Sequence, residues 1–298
     1  MARAYVLMML TALFWAGNAI AGRAVAGIIT PAGLTFYRWL LASLAIFLVA
    51  RHQIVRDAVT LRPHALRLFG LGALGLGAYN LAFYRALGST TALNATIEQS
   101  ALPVLVILAN YVGFGERVST LQLTGVGLTL VGVLCCATQG APLRVLEVGV
   151  GEGDALVLLS VALYSGYTVA LRARPAVHPL SLLFAFTVSA CLFSAPFHAV
   201  DLLREGLRMP TSQAWLAIAY TALFPSLLSQ LFYIRGVAAL GANRAGLFIN
   251  LVPVFGALLA VGLLGESFRP YHAIGLLLVL TGIAVAEHAR PLEEAKVA

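Results

Sequence analysis

Charge is what this sequence has least of. Acidic and basic residues together fill 10% of its 298 positions, where an ordinary soluble domain carries about 25%. Lysine is almost missing: Lys296 stands alone, and the other basic residues are arginines. Hydrophobic residues make up 60% of the chain, and mean hydropathy is +0.92. So few charged groups leave too little polar surface to face water on all sides. That excludes an ordinary soluble enzyme or binding module and makes a lipid bilayer part of the solvent.

Other scarcities narrow the function. Only three cysteines occur, Cys135, Cys136 and Cys191, all inside apolar runs and without metal-ligand spacing, so they read as small buried hydrophobes and no metal is expected. No Walker motif, no His pair at ligand spacing, no nucleophile motif and no paired carboxylates are legible, which argues against direct ATP use and against an intramembrane enzyme. The net charge of +7 invites a nucleic-acid reading. The arginines, however, stand singly at the ends of apolar stretches, the membrane pattern, without a basic stripe interleaved with aromatics. Gly70-Leu-Gly72-Ala-Leu-Gly75 matches a dinucleotide fingerprint in spacing but lies in an apolar run with no βαβ context. Close helix approach explains such small residues better, and no cofactor is expected. The first apolar run has one basic residue before it and no convincing cleavage site, so it reads as a spanning helix rather than a removable leader.

What is present is a series of apolar runs of about 20 residues, the length that ~1.5 Å per residue needs to cross a ~30 Å core. Ten fit, over 4–22, 32–50, 64–86, 91–112, 120–138, 154–173, 180–199, 213–234, 242–263 and 271–288. A shift of 150 residues superposes the two halves. Arg85 falls on Arg235, Pro103-Val104 on Pro253-Val254, Gly115-Glu116 on Gly265-Glu266, Gly125 on Gly275, and Gly132 on Gly282. The expected organisation is a first five-helix repeat over 1–140, a connecting loop over 141–153, and a second repeat over 154–298 with a short tail. Five crossings reverse the chain, so the second repeat enters the membrane upside down. The expected fold is therefore all-α, ten transmembrane helices as two inverted repeats around a central cavity. Twelve basic residues fall on one side and six on the other, Arg38 left aside, which places both termini in the cytoplasm of a multi-pass bacterial inner-membrane protein.

The repeated segments carry a resemblance. Ala101-Leu-Pro-Val-Leu-Val with Gly115-Glu116-Arg117, its copy Leu251-Val-Pro-Val-Phe-Gly with Gly265-Glu266, and Phe36-Tyr-Arg38-Trp-Leu-Leu-Ala-Ser resemble the signatures of the drug/metabolite transporter superfamily, EamA branch. The resemblance implies a secondary transporter, often an exporter of amino acids or related metabolites, and within the family points to the YddG-like amino-acid exporters. Its partners would be a small-molecule substrate and the lipid bilayer, with no nucleic acid; the oligomeric state stays open, a monomer included. A channel, an intramembrane enzyme, or a carrier of another metabolite or drug remain the alternatives.

Polar groups inside apolar spans face the bundle interior or a wet cavity. The substrate-binding candidates are Trp15, Asn18, Tyr79, Asn80, Glu98, Gln99, Tyr164, Tyr167, Gln230 and Asn250. The amides also suit interhelical hydrogen bonding, and the aromatics suit a wall against an apolar side chain. Tyr84 and Tyr233 rank lower, since tyrosine near helix ends more often forms an interface belt. Glu98 is the one acid deep inside a span: it binds a substrate ammonium or a proton, or it pairs with Arg38. Arg38 orients the helices or meets a substrate carboxylate. Pro103, Pro225 and Pro253 interrupt helices and serve as hinges or static kinks. Glu116 and Glu266 read as structural caps of the repeat.

Overall fold

The computed structural model describes residues 2–115, 118–141, 151–206, 209–240, 245 and 248–288. The connecting segment 142–150, together with Glu116, Arg117, Arg144, Arg208, Arg244, Arg290 and Lys296, lies outside the described residues. Among the described residues every regular element is helical. Helices α1 (Ala2–Ala24), α2 (Pro31–Leu61), α3 (Ala65–Gly72), α4 (Tyr79–Ala86), α5 (Ala92–Glu98), α6 (Leu102–Phe114) and α7 (Thr120–Ala137) precede the connecting segment. Helices α8 (Glu152–Ala170), α9 (Pro179–Glu205), α10 (Ser212–Leu223), α11 (Ser229–Leu240), α12 (Val252–Leu264) and α13 (Pro270–His288) follow it.

Seven continuous helical stretches are long and apolar enough to cross a membrane, and two shorter apolar helices, Phe248–Leu264 and Pro270–Ala286, follow. One stretch, Pro31–Ala86, has 56 residues. It is not one rod: Arg38 bonds to Asn80 and Tyr84, so its two arms fold back on each other about the short turn Arg62–His64. Outward-facing side chains are apolar, Leu48 and Val112 being 75% and 81% exposed. A surface of that kind is covered by lipid or by another protein.

The helix ends follow from local chemistry. Thr30 caps α2 by accepting from Gly33 N, with Pro31 in the first turn where its missing N–H costs nothing. Ser119 and Gln122 close a reciprocal capping box on α7. Gly115 and Gly265 end α6 and α12 at φ 65° and 66°, a left-handed conformation that glycine adopts without a Cβ penalty.

These two glycines are 150 residues apart, and other features recur at that spacing. A π-helical segment, Ala73–Ala78, joins α3 to α4, and another, Phe224–Leu228, joins α10 to α11. The turns Gln99–Ala101 and Phe248–Leu251 precede α6 and α12, so Pro103 and Pro253 fall in first turns rather than mid-helix. Pro225 lies in the second π-helical segment, where a widened turn accommodates its missing N–H.

Helix pairing repeats too. Helix α1 packs on α11 and α12, as α8 packs on α4 and α6; α2 pairs with α9, and α7 with α13. In the α7–α13 pair, Gly125 lies against Gly282 and Gly132 against Gly275. A Cβ on Gly125 would sit 2.5 Å from Gly282 O, so the absence of side chains sets the backbone separation. Since 125 corresponds to 275 and 132 to 282, each glycine touches the counterpart of the other, the pattern of contacts that a two-fold axis produces.

Candidate functional site

The polar centre is built around Arg38, 5% exposed, on the first half of α2. Its Nη1 donates to Asn18 Oδ1 at 2.7 Å, to Asn80 Oδ1 at 2.8 Å and to Tyr84 Oη. Nε and Nη2 both donate to Ser226 Oγ, at 3.1 and 3.0 Å. The acceptors are themselves held. Tyr84 Oη donates to Asn18 Oδ1 at 2.9 Å, Asn80 Nδ2 to Leu76 O, and Ser226 Oγ to Thr221 O. Four chain segments, α1, α2, α4 and Phe224–Leu228, thus meet on one guanidinium. Among the described residues no carboxylate comes within ion-pair distance of it. A buried cation held only by neutral oxygens keeps its positive field available to an incoming anion.

Beside this centre lies an aromatic group. Tyr79 tilts against Tyr164 with ring centroids 5.2 Å apart, Tyr164 against Tyr167 at 5.4 Å, and Tyr167 meets Phe186 edge-on at 5.3 Å. Gln99 Nε2 donates to Tyr79 Oη at 2.8 Å. Trp15 Nε1 donates to Pro225 O, and its ring lies 5.7 Å from that of Tyr233. Arg38 lies within electrostatic reach of Tyr79 and Tyr164. A cleft of about 170 Å³ between α1, the start of α2 and the end of α4 has Gly22, Pro31, Leu34, Tyr84 and Arg85 in its wall.

The structure therefore brings together Asn18, Arg38 and Asn80 in one network, and Tyr79, Gln99, Tyr164 and Tyr167 in another beside it. Gln230 is half-buried on α11, outside the Arg38 network. Asn250 lies in the turn before α12 and is also half-buried. Four readings are corrected. Tyr84 is not an interface residue: it is 4% exposed and bonded to Arg38 and Asn18. Glu98 does not pair with Arg38, because α5 turns it toward α8 while the next residue, Gln99, faces Tyr79. Its neighbour is Asp154, so a pair of buried carboxyls exists that the sequence did not disclose. Helix α8 begins at Glu152, two residues earlier than the apolar run suggested. Ser226 and Asp154 were missed altogether. A polar residue following Pro225 was the available signal for the first; none marked the second.

The opposite ends of the bundle carry different ion pairs. At one, Arg23 faces Glu266 at 3.9 Å and Arg85 faces Glu152 at 3.2 Å. The Glu266 carboxylate also accepts from Ala92 N and Leu93 N, both at 2.9 Å, capping α5 from the other half of the chain. At the other, Arg56 faces Asp57, whose second oxygen accepts from His178 N. Among the described residues no three His, Cys, Asp or Glu side chains gather as a metal site.

The described residues form an all-helical fold with a lipid-compatible exterior and a buried, branched polar centre, as an integral membrane transporter requires, and the chain's relatives are transporters. The model of the EamA-like transporter family matches residues 2–138 and 151–286, so the chain belongs to that family. It is 23% identical over 285 residues to the uncharacterized transporter YyaM of Bacillus subtilis, covering 95% of this chain and 92% of that one. An uncharacterized transporter of Archaeoglobus fulgidus is 26% identical over 289 residues, covering 94% and 96%. The uncharacterized inner membrane transporter YicL of Salmonella typhimurium is 25% identical over 229 residues, covering 74% and 73%. A solved crystal structure shares the fold with a TM-score of 0.65 at 21% identity, over 98% of this chain and 99% of that one.

Proposed function

We propose that this membrane transporter is a secondary carrier of small carboxylate-bearing metabolites, amino acids first among them, working as an exporter by alternating access. The observation that carries the reading is Arg38: a buried guanidinium with four neutral partners and, among the described residues, no counter-carboxylate. A substrate carboxylate is the ligand that completes it, since Arg presents a fork matched to that group. The Tyr79–Tyr164–Tyr167 group beside it suits an apolar or aromatic substrate side chain.

Ten crossings follow if the 56-residue stretch counts as two and the two shorter helices count as one each. The crosswise Gly125–Gly282 and Gly132–Gly275 contacts support an inverted pair of halves. The π-helical segments at 73–78 and 224–228, the latter holding Pro225, are weak points at equivalent places where the halves can bend. The turns Gln99–Ala101 and Phe248–Leu251, just before Pro103 and Pro253, mark a second matched pair. The face with Arg56, Arg62 and Arg67 is cytoplasmic by its arginine excess. The cleft with Tyr84 in its wall then lies on the outer side.

Counterflow in proteoliposomes tests this. Vesicles loaded with an unlabelled amino acid should accumulate the labelled one transiently from outside. Absence of exchange across a panel of amino acids would sink the amino-acid reading. Leakage without trans-stimulation would indicate a channel.

A further inference from the structure

The Glu98–Asp154 pair stands apart from the Arg38 network and has no part in it. Glu98 is completely buried, and neither carboxyl oxygen has a hydrogen-bond donor among the described residues. Asp154, 9% exposed in the first turn of α8, is its acidic neighbour across the α5–α8 contact. Two neighbouring carboxyls this dry, one of them without any donor, do not both stay ionised, whereas one proton held on Glu98 removes its uncompensated charge.

The surroundings say which carboxyl holds that proton. His272 Nδ1 accepts from Arg269 N at 2.9 Å, so its own proton sits on Nε2, which faces Asn94 Oδ1 at 3.0 Å. That contact turns the Asn94 amide nitrogen toward Asp154, and Thr90 Oγ1 also donates to Asp154. Every donor therefore serves Asp154 and none serves Glu98. The other titratable groups near the pair are Cys136 on α7 and Tyr271 on α13; Arg23 and Glu266 pair with each other at the start of α5.

We infer that Glu98 and Asp154 form a proton-binding site that couples transport to a proton gradient. Asp154, two residues from the exposed Arg85–Glu152 pair, is the member nearer water. The proton leaves Glu98 for Asp154 and then for water at that face. Its loss leaves two facing carboxylates, which separate and shift α5 against α8. Gln99, adjacent in sequence, transmits the shift to Tyr79. Coupling rests on the carrier reading above; the proton site itself does not.

Two measurements keep them distinct. Infrared pH titration of the purified protein in lipid needs no substrate. A protonated-carboxyl C=O band should persist at neutral pH, vanish in Glu98→Gln, and shift in Asp154→Asn. No band in the wild type, a band unaltered in Glu98→Gln, or a band abolished by sodium would overturn the proton site. The second uses proteoliposomes in which labelled amino acid exchanges. An imposed pH gradient should drive net accumulation in the wild type, and Asp154→Asn should lose that accumulation with its thermal stability retained. Exchange without any response to the gradient would overturn coupling while leaving the carrier reading intact. Absence of exchange would count against the carrier reading and leave the infrared result to decide the proton site.

Discussion

Arg38 Nη1 and Asn80 Oδ1 meet at 2.8 Å although 42 residues separate them. The contact closes the hairpin formed by α2, α3 and α4, and it places a guanidinium where α1 and Phe224–Leu228 also converge. Lysine keeps the charge but offers one nitrogen where arginine offers three. Arg38→Lys should abolish most exchange while folding. Each lost charge-assisted bond costs about 1.5–3 kcal/mol, partly recovered by the ammonium, so a lower thermal midpoint accompanies the loss. Exchange that falls only in step with stability would reduce Arg38 to a structural tie.

Tyr84→Phe removes one hydroxyl that serves both Arg38 and Asn18. The expected cost is about 1 kcal/mol in unfolding. A rise in KM for the exchanged amino acid larger than the fall in kcat would place the hydroxyl on the substrate's path from the cleft.

Gly125→Ala would force a methyl against Gly282 O. Overpacking of this kind costs about 1–3 kcal/mol, read as a lower melting midpoint in detergent. Gly127→Ala, on the same helix with nothing within 4 Å, should instead be neutral or stabilise by about 0.5–1 kcal/mol. Equal effects at both positions would contradict close packing at Gly125.

Glu266→Ala strips the cap from the start of α5 and frees Arg23. A loss of about 0.5–2 kcal/mol follows. The same change should raise amide exchange selectively at Ala92 and Leu93.

Sidedness is checked by labelling. With Cys135, Cys136 and Cys191 replaced by Ala, Gln213→Cys should react with an impermeant maleimide on intact cells, and His64→Cys only after the membrane is opened. The reverse pattern would invert the topology.

Much of this architecture was legible because apolar length and a 150-residue repeat are properties of the chain itself. Matched capping glycines and matched π-helical segments are what such a repeat looks like once folded. Asn18, Arg38 and Asn80 were likewise legible as polar residues in apolar runs. Depth in the membrane, however, is readable from sequence while rotation about a helix axis is not. Glu98 and Arg38 read at similar depth by position along their apolar runs, yet α5 points Glu98 toward α8 and Gln99 toward Tyr79. Tyr84 ranked low for a related reason: nearness to a helix end suggested the interface, but packing buries it.

The central claim is that Arg38 receives a substrate carboxylate, and competition against counterflow tests it most directly. Exchange of a labelled amino acid should be blocked by amino acids with the same side chain and left unaffected by their amides and by the decarboxylated amines. Equal inhibition by the amines would show that no carboxylate is recognised, and would contradict the account.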